Sequence, residues 1–216
     1  MSLTLAQLQR DWQPFADDIQ ALAQSLDLMD TAQGWHCDHV ALRVNSTAAA
    51  EALVQEFEAI GTVISNNRIN GRPILIIALD EPLQLGPWSI DCVELPFPGE
   101  KRYPKEGWEH IELVFPCKAA DCDALEAALG QALPTVAKRI KAPGTLRIKT
   151  SSPQGEHERL ANPTLAFSDD KVCIKLHPHG IRDIIASESA SESASESTGE
   201  NAGEKASESA NEQAAP

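Results

Sequence analysis

Two stretches of this chain begin alike. "GWHCDHVALRV" (34–44) and "EGWEHIELVFP" (106–116) each write Gly-Trp, then a histidine, then an alternating apolar run. A shift of 71 residues lays His39-Val-x-Leu over His110-Ile-x-Leu. Each run is short enough for a strand. The same order of elements follows both. After 39–44 comes a helical pattern, capped by Asn45 or Ser46, with an apolar face of Leu53, Val54, Phe57 and Ile60 and a stop at Gly61. Strand patterns follow at 62–66, 73–79 and 88–95, and "NG" at 70–71 marks a hairpin between the first two. After 110–115 comes a helical pattern at 121–133 with Asp121 as its cap. Three short strands then read "TLRIKT", "TLAFS" and "KVCIKL". A shift of 81 lays Cys92 over Cys173 and Glu94 over Lys175. The sequence thus predicts two βαβββ modules, each too small to bury its own sheet, packed into one body.

The expected fold class is α+β, with the modules at 34–98 and, including a linker, at 99–186. They form a cupped, barrel-like mixed sheet. Residues 1–33 are expected to be helical, because Leu5, Leu8, Trp12, Phe15, Ile19, Leu22 and Leu26 recur at alternating spacings of three and four. Pro14 leaves one kinked helix or two helices open. From 187 to 216 the chain has no Leu, Ile, Val, Phe, Trp or Tyr, and a disordered acidic tail is expected. Its seven glutamates and one lysine give −6 of the formal −14, leaving −8 on the body. That balance argues against nucleic acid and anionic membranes as partners. No apolar run is long enough to span a bilayer, and the N-terminus does not read as a signal peptide. Five cysteines without a CxxC pair fit a reducing compartment, so a cytoplasmic protein is expected.

The chemistry lies in the strands. Residues two apart face the same way. His39 shares a face with Ala41 and Arg43, His110 with Glu112, and Glu94 with Cys92. Two imidazoles and one carboxylate from three strands suit a divalent metal and leave positions open for water or substrate. The expected ligands are His39, Glu94 and His110. Glu94 also has Lys175 or Arg43 as alternative ion-pair partners. Glu112 is placed as a general base or as an acceptor for an imidazole N–H, against a plain solvated carboxylate. His177 is a reserve ligand or simply a strand end. His36, His157 and His179 are expected to be exposed, and the cysteines to be small core residues. Cys37 is placed on the strand face of His39. Two polar loops, 96–107 and 151–163, carry Lys101, Arg102 and Arg159, with Lys149 close by; these fit either an anionic substrate or solvated linker charge.

"NGRPI", "VELPFPGEKRYPKEGWEHIE", "KTSSPQGEHERLANPTLA" and "IKLHP" resemble the bacterial YecM family over about residues 3–186. The paired modules, with a histidine on each first strand, also resemble the vicinal oxygen chelate superfamily of glyoxalase I and the extradiol dioxygenases. That resemblance implies ligand positions at His39, Glu94 and His110. The fourth falls on Lys175, where glyoxalase I has a glutamate, and a lysine ammonium is a poor ligand at neutral pH. The expected function is a mononuclear Zn, Fe, Mn or Ni protein, with the metal as Lewis acid on a small oxygen-chelating substrate and Glu112 or Lys175 moving a proton. Its rival is a metal-free binding or scaffolding module.

Overall fold

The structure is a computed structural model that describes residues 3–69, 71–152 and 160–187. The acidic tail from residue 188 onward, His157 and Arg159 lie outside the described residues. The chain runs α1 (Leu5–Ser25), α2 (Leu28–Thr31), β1 (Cys37–Arg43), α3 (Thr47–Phe57), β2 (Gly61–Ile69), β3 (Arg72–Leu85) and β4 (Trp88–Pro96). It continues β5 (Gly107–Val114), α4 (Cys122–Ala132), α5 (Pro134–Lys141), β6 (Arg147–Ser151), β7 (Thr164–Ser168) and β8 (Cys173–His177). The caps are those the sequence predicts: Ser46 accepts from the Ala49 amide and Asp121 from that of Ala124. The helix α5 was not foreseen. Its start is nonetheless written in the sequence by Pro134, which takes a first-turn position where no N–H is needed.

All eight strands form one mixed sheet in the order β2-β3-β4-β1-β5-β8-β7-β6. Exchanging the modules reverses this order onto itself. The register shows the same symmetry at residue level. In β1 and β5, which run antiparallel, Val40 opposes Ile111, and the flanking pairs are His39 with Glu112 and Ala41 with His110. Those flanking pairs are related to each other by the 71-residue shift. The outer pairs follow, Ala41 with Glu94 in β1–β4 and Glu112 with Lys175 in β5–β8. A pseudo-twofold axis therefore passes through the Val40–Ile111 pair.

The sheet ends at β2 and β6 and does not close, but it is cupped. Every strand contributes to the wall of one cavity, from Ile69 and Ile74 on one side to Ala166 and Lys149 on the other. The convex face is apolar. Val40, Leu42, Val93, Leu95, Ile111, Leu113, Ile174 and Leu176 are all buried there. The helix α1 covers the centre with Leu8, Phe15, Ile19 and Leu22, packing on β5, β8 and α3. It is one continuous helix, with Pro14 on its exposed side. Two indoles pin it to both modules. Trp108 of β5 donates to the Leu8 carbonyl at 2.8 Å, and Trp12 donates to the Gln84 carbonyl of β3 at 3.1 Å. Among the described residues no helix is long and apolar enough to cross a membrane.

Gly61 does not stop α3, which ends at Phe57. It opens β2, at a point where a Cβ would lie 2.4 Å from the Ala78 carbonyl oxygen. The glycine is required by this close approach of backbone to backbone. Gly61→Val is expected to destabilise the fold by about 1–3 kcal/mol, the usual cost of overpacking. Urea titration checks this, and an unchanged midpoint would contradict the packing described.

Candidate metal centre

Strict alternation places Asp38 and Glu109 on the face opposite their neighbouring histidines. The structure differs, because each first strand carries a β-bulge. In β1 the pairing steps from Cys37–Leu113 to His39–Glu112 and leaves Asp38 unopposed. In β5 it steps from Ala41–His110 to Leu42–Trp108 and leaves Glu109 unopposed. The two bulged residues are themselves 71 apart. A bulge lets consecutive side chains emerge on one side. Asp38 thereby brings Oδ2 to 3.0 Å from His39 Nδ1, and Glu109 brings Oε2 to 2.6 Å from His110 Nδ1. Each carboxylate accepts the Nδ1 proton and turns Nε2 inward, the arrangement that orients metal-binding imidazoles. The acids are themselves held in place. Asp38 Oδ1 accepts from the Ile181 amide at 2.7 Å, and Glu109 pairs with Arg43.

His39, His110 and Glu112 are buried, and their donor atoms all lie within 4.8 Å of one another. Glu112 Oε1 is 3.0 Å from His110 Nε2, 3.5 Å from His39 Nε2 and 2.7 Å from Lys175 Nζ. Glu94 lines the same cavity, and its Oε2 is 3.6 Å from His39 Nε2, but it stands outside the compact group. Register explains the difference. Glu112 lies directly across from His39, whereas Glu94 lies across from Ala41. His39 Nε2 has no hydrogen-bond partner although its side chain is only 3 % exposed. A buried polar atom left so costs about 1–3 kcal/mol. The cavity above the group measures about 660 Å³.

The sequence profile of the YecM protein matches residues 4–188. Protein YecM of Escherichia coli strain K12 is 45 % identical over 184 residues, covering 82 % of this chain and 94 % of that protein. This chain belongs to the YecM family. An uncharacterized protein of Haemophilus influenzae is 36 % identical over 183 residues, covering 82 % of this chain and 92 % of its own length. A solved structural-genomics structure, Protein EC4020, superposes with a TM-score of 0.72 at 40 % identity, covering 85 % of this chain and 92 % of that one.

The electrostatics of this YecM-family site follow from burial and from the paired carboxylates. Burial alone would lower the pKa of His39, but the Glu112 and Asp38 carboxylates raise it well above the usual 6.5. For His110, burial and Lys175 act downward, and Glu109 and Glu112 outweigh them. Burial would raise Glu112, yet Lys175 and His39 hold it well below the ordinary carboxylate range. Lys175 is pushed down by burial but raised further by Glu112 and Glu94, so it stays charged. The amine leans on Glu112 rather than on Glu94.

The remaining candidates separate. His177 is buried beside the group, with Nε2 3.4 Å from Glu112 Oε2. His36 is exposed as expected, whereas His179 is half-buried. Lys149 lines the cavity; Lys101 instead sits 5.2 Å from the Tyr103 ring. The bulge moves Cys37 off the His39 face and into the apolar core. Burial pushes the Cys92 and Cys173 thiols up to about 12 and about 11, as expected for structural cysteines. Sequence reasoning missed Asp38, Glu109, Arg72 and Asn162. The first two did leave a signal, an acid directly before each repeated histidine.

Burial would raise Glu109, but His110 and Arg43 lower it from 4.5 to about 2 in the folded state. Since the folded pKa is the lower one, its stabilisation is complete above pH 4.5 and is lost as the pH falls toward 2. Glu109→Gln is therefore expected to flatten the acid limb of stability in that window. Melting curves of the two proteins across this range check it, and parallel acid limbs would contradict the assignment.

Proposed function

We propose that this protein is a mononuclear divalent-metal protein, and that it works as an enzyme on a small oxygen-chelating substrate. The observation that carries the reading is the pair of bulges. They supply each histidine with its own carboxylate and aim two Nε2 atoms at one point beside Glu112. Two imidazoles and a carboxylate suit Zn, Fe, Mn or Ni. His39, His110 and Glu112 would hold the ion, with Glu94 as the neighbouring carboxylate on the open side. A metal held there supplies Lewis acidity toward a bound oxygen, the chemistry of isomerase, lyase or dioxygenase reactions.

The chain's own groups have distinct tasks. Asp38 and Glu109 fix the imidazole tautomers. Lys175 offsets the charge of Glu112 and presents a cation to the cavity, which favours an anionic substrate. With a raised pKa it keeps its proton, so it acts as a fixed cation and hydrogen-bond donor toward a charged oxygen. The helices cover the convex side, and the cavity lies on the concave face. The five cysteines are free, which agrees with a cytoplasmic location as part of this proposal. The rival is a metal-free module, favoured by the Lys175–Glu112 ion pair, which satisfies Glu112 without an ion.

Metal content separates the two. The purified full chain, expressed without a metal-binding tag, is expected to carry about one equivalent of divalent metal. His39→Ala and His110→Ala are each expected to abolish it with circular dichroism unchanged. Asp38→Asn is expected to weaken affinity by about 10–100-fold, the usual effect of losing an outer carboxylate. Full occupancy in the two histidine variants would end the metal reading.

The raised histidine pKa values also set the pH dependence. Below them the imidazoles are protonated and compete with the ion, so affinity is expected to rise with pH and to level off once both are neutral. Calorimetry at pH 7 in buffers of different ionisation enthalpy is expected to show proton release on zinc binding. No release would mean that the histidines are not ligands.

A further inference from the structure

His177 differs from His39 and His110 in what holds its ring. Those two present Nδ1 to a carboxylate. His177 presents Nδ1 to the side-chain amide of Asn162, with Nδ2 at 3.0 Å. The orientation of that amide is fixed from both ends by His179. The His179 amide donates to Asn162 Oδ1 at 3.3 Å, and Asn162 Nδ2 also donates to the His179 carbonyl at 3.4 Å. The group nearest Nδ1 is therefore an NH₂ donor, with Nδ1 as its acceptor, and the His179 carbonyl that also lies within reach of the ring accepts from the same NH₂. A neutral imidazole with an accepting Nδ1 carries its proton on Nε2. In His39 and His110, by contrast, it is Nδ1 that donates to a carboxylate.

His177 Nε2 lines the same cavity, is buried with its side chain 1 % exposed, and has no hydrogen-bond partner. The nearest acceptors are Glu112 Oε2 at 3.4 Å and Asp38 Oδ2 at 3.7 Å, neither in bonding geometry; Asp38 Oδ2 is held by His39, while Lys175 and His110 hold the other oxygen of Glu112. An N–H so placed carries no lone pair for a metal, but it is a ready donor to an oxygen. The surrounding wall indicates which oxygen. Arg72 and Lys149 line this cavity, and neither makes an ion pair among the described residues. Ile74, Ile181 and Ile184 line it too. Cations that line the same cavity as a buried donor and a short apolar wall fit a small carboxylate with a compact apolar part.

We propose that His177 is not a metal ligand but a substrate-contacting hydrogen-bond donor, and that the cavity binds a small carboxylate through His177, with Arg72 and Lys149 supplying positive charge from its walls. The proposal deepens the metal reading by naming the substrate class, but the tautomer argument stands without the metal. His177 is also where the duplication is broken, since the 81-residue shift lays it over Pro96. The two metal-facing histidines use repeated positions, whereas His177, like Glu112, has no counterpart of its own kind in the first module.

The test has three parts, all on the full chain. Long-range proton–nitrogen correlation spectra of the metal-free protein are expected to show a protonated Nε2 and an accepting Nδ1 at His177. A lone pair at Nε2 would overturn the assignment. On zinc-loaded protein, His177→Ala is expected to keep its metal and to bind pyruvate about tenfold more weakly or worse, as for loss of a hydrogen bond to a charged group. His177→Gln, which restores a donor, is expected to recover most of that affinity. Loss of zinc in His177→Ala would make His177 a ligand, and unchanged pyruvate affinity would remove it from the carboxylate site; either result sinks the proposal. Asn162→Asp supplies the kind of partner Asp38 gives His39, and is expected to move the proton to Nδ1 and weaken pyruvate binding while tightening zinc. If the wild type holds no zinc, the metal reading fails separately. Pyruvate is then titrated into the metal-free protein, where weaker binding by His177→Ala supports the donor and equal binding refutes it.

Discussion

The pairing of β1 with β5 is the interaction on which everything else rests. Neither module can bury both faces of a four-stranded sheet by itself. Joined at this seam, the two make one apolar convex face broad enough for α1 to cover. The same seam brings His39 and His110 within one ring's reach of each other, with centroids 6.2 Å apart. Core and site are therefore not separable. A slip of one residue in the β1–β5 register would exchange the faces of every side chain in one strand, exposing Val40 or Ile111 and burying a histidine among the helices. The cost of exposing that apolar set holds the polar group in place.

Much of this was legible because duplication writes the same instruction twice. A lone histidine on an alternating run says little. Two of them, 71 residues apart and each followed by the same elements, specify module, strand and face together. The 81-residue shift likewise foretold that Glu94 and Lys175 occupy equivalent rungs, which the pairings of Ala41 with Glu94 and Glu112 with Lys175 reproduce. Ser46 and Asp121 were readable as caps because a cap is local chemistry.

What could not be read depends on departures from strict period. A bulge adds one residue to a strand without any obligatory residue type, so alternation carried through it assigns the wrong face to Asp38, Glu109 and Cys37. The compact donor group also depends on cross-strand register, which set Glu112 opposite His39 and left Glu94 one rung away. Asn162 was invisible for another reason. It acts from the start of β7's lead-in on a ring fifteen residues later, through an amide whose orientation depends on the His179 backbone. No spacing rule links such a pair.

The pseudo-twofold axis has one more consequence. A perfectly repeated seam would face the cavity with two equal halves, and a ligand lying across it could sit either way round. Here Glu112 has Ala41 as its counterpart, Lys175 has Glu94, and His177 has Pro96. At these three rungs the two halves of the cup present different chemistry. A molecule that is itself symmetric meets two different hands on its two ends, so the cavity can treat chemically identical groups as distinct.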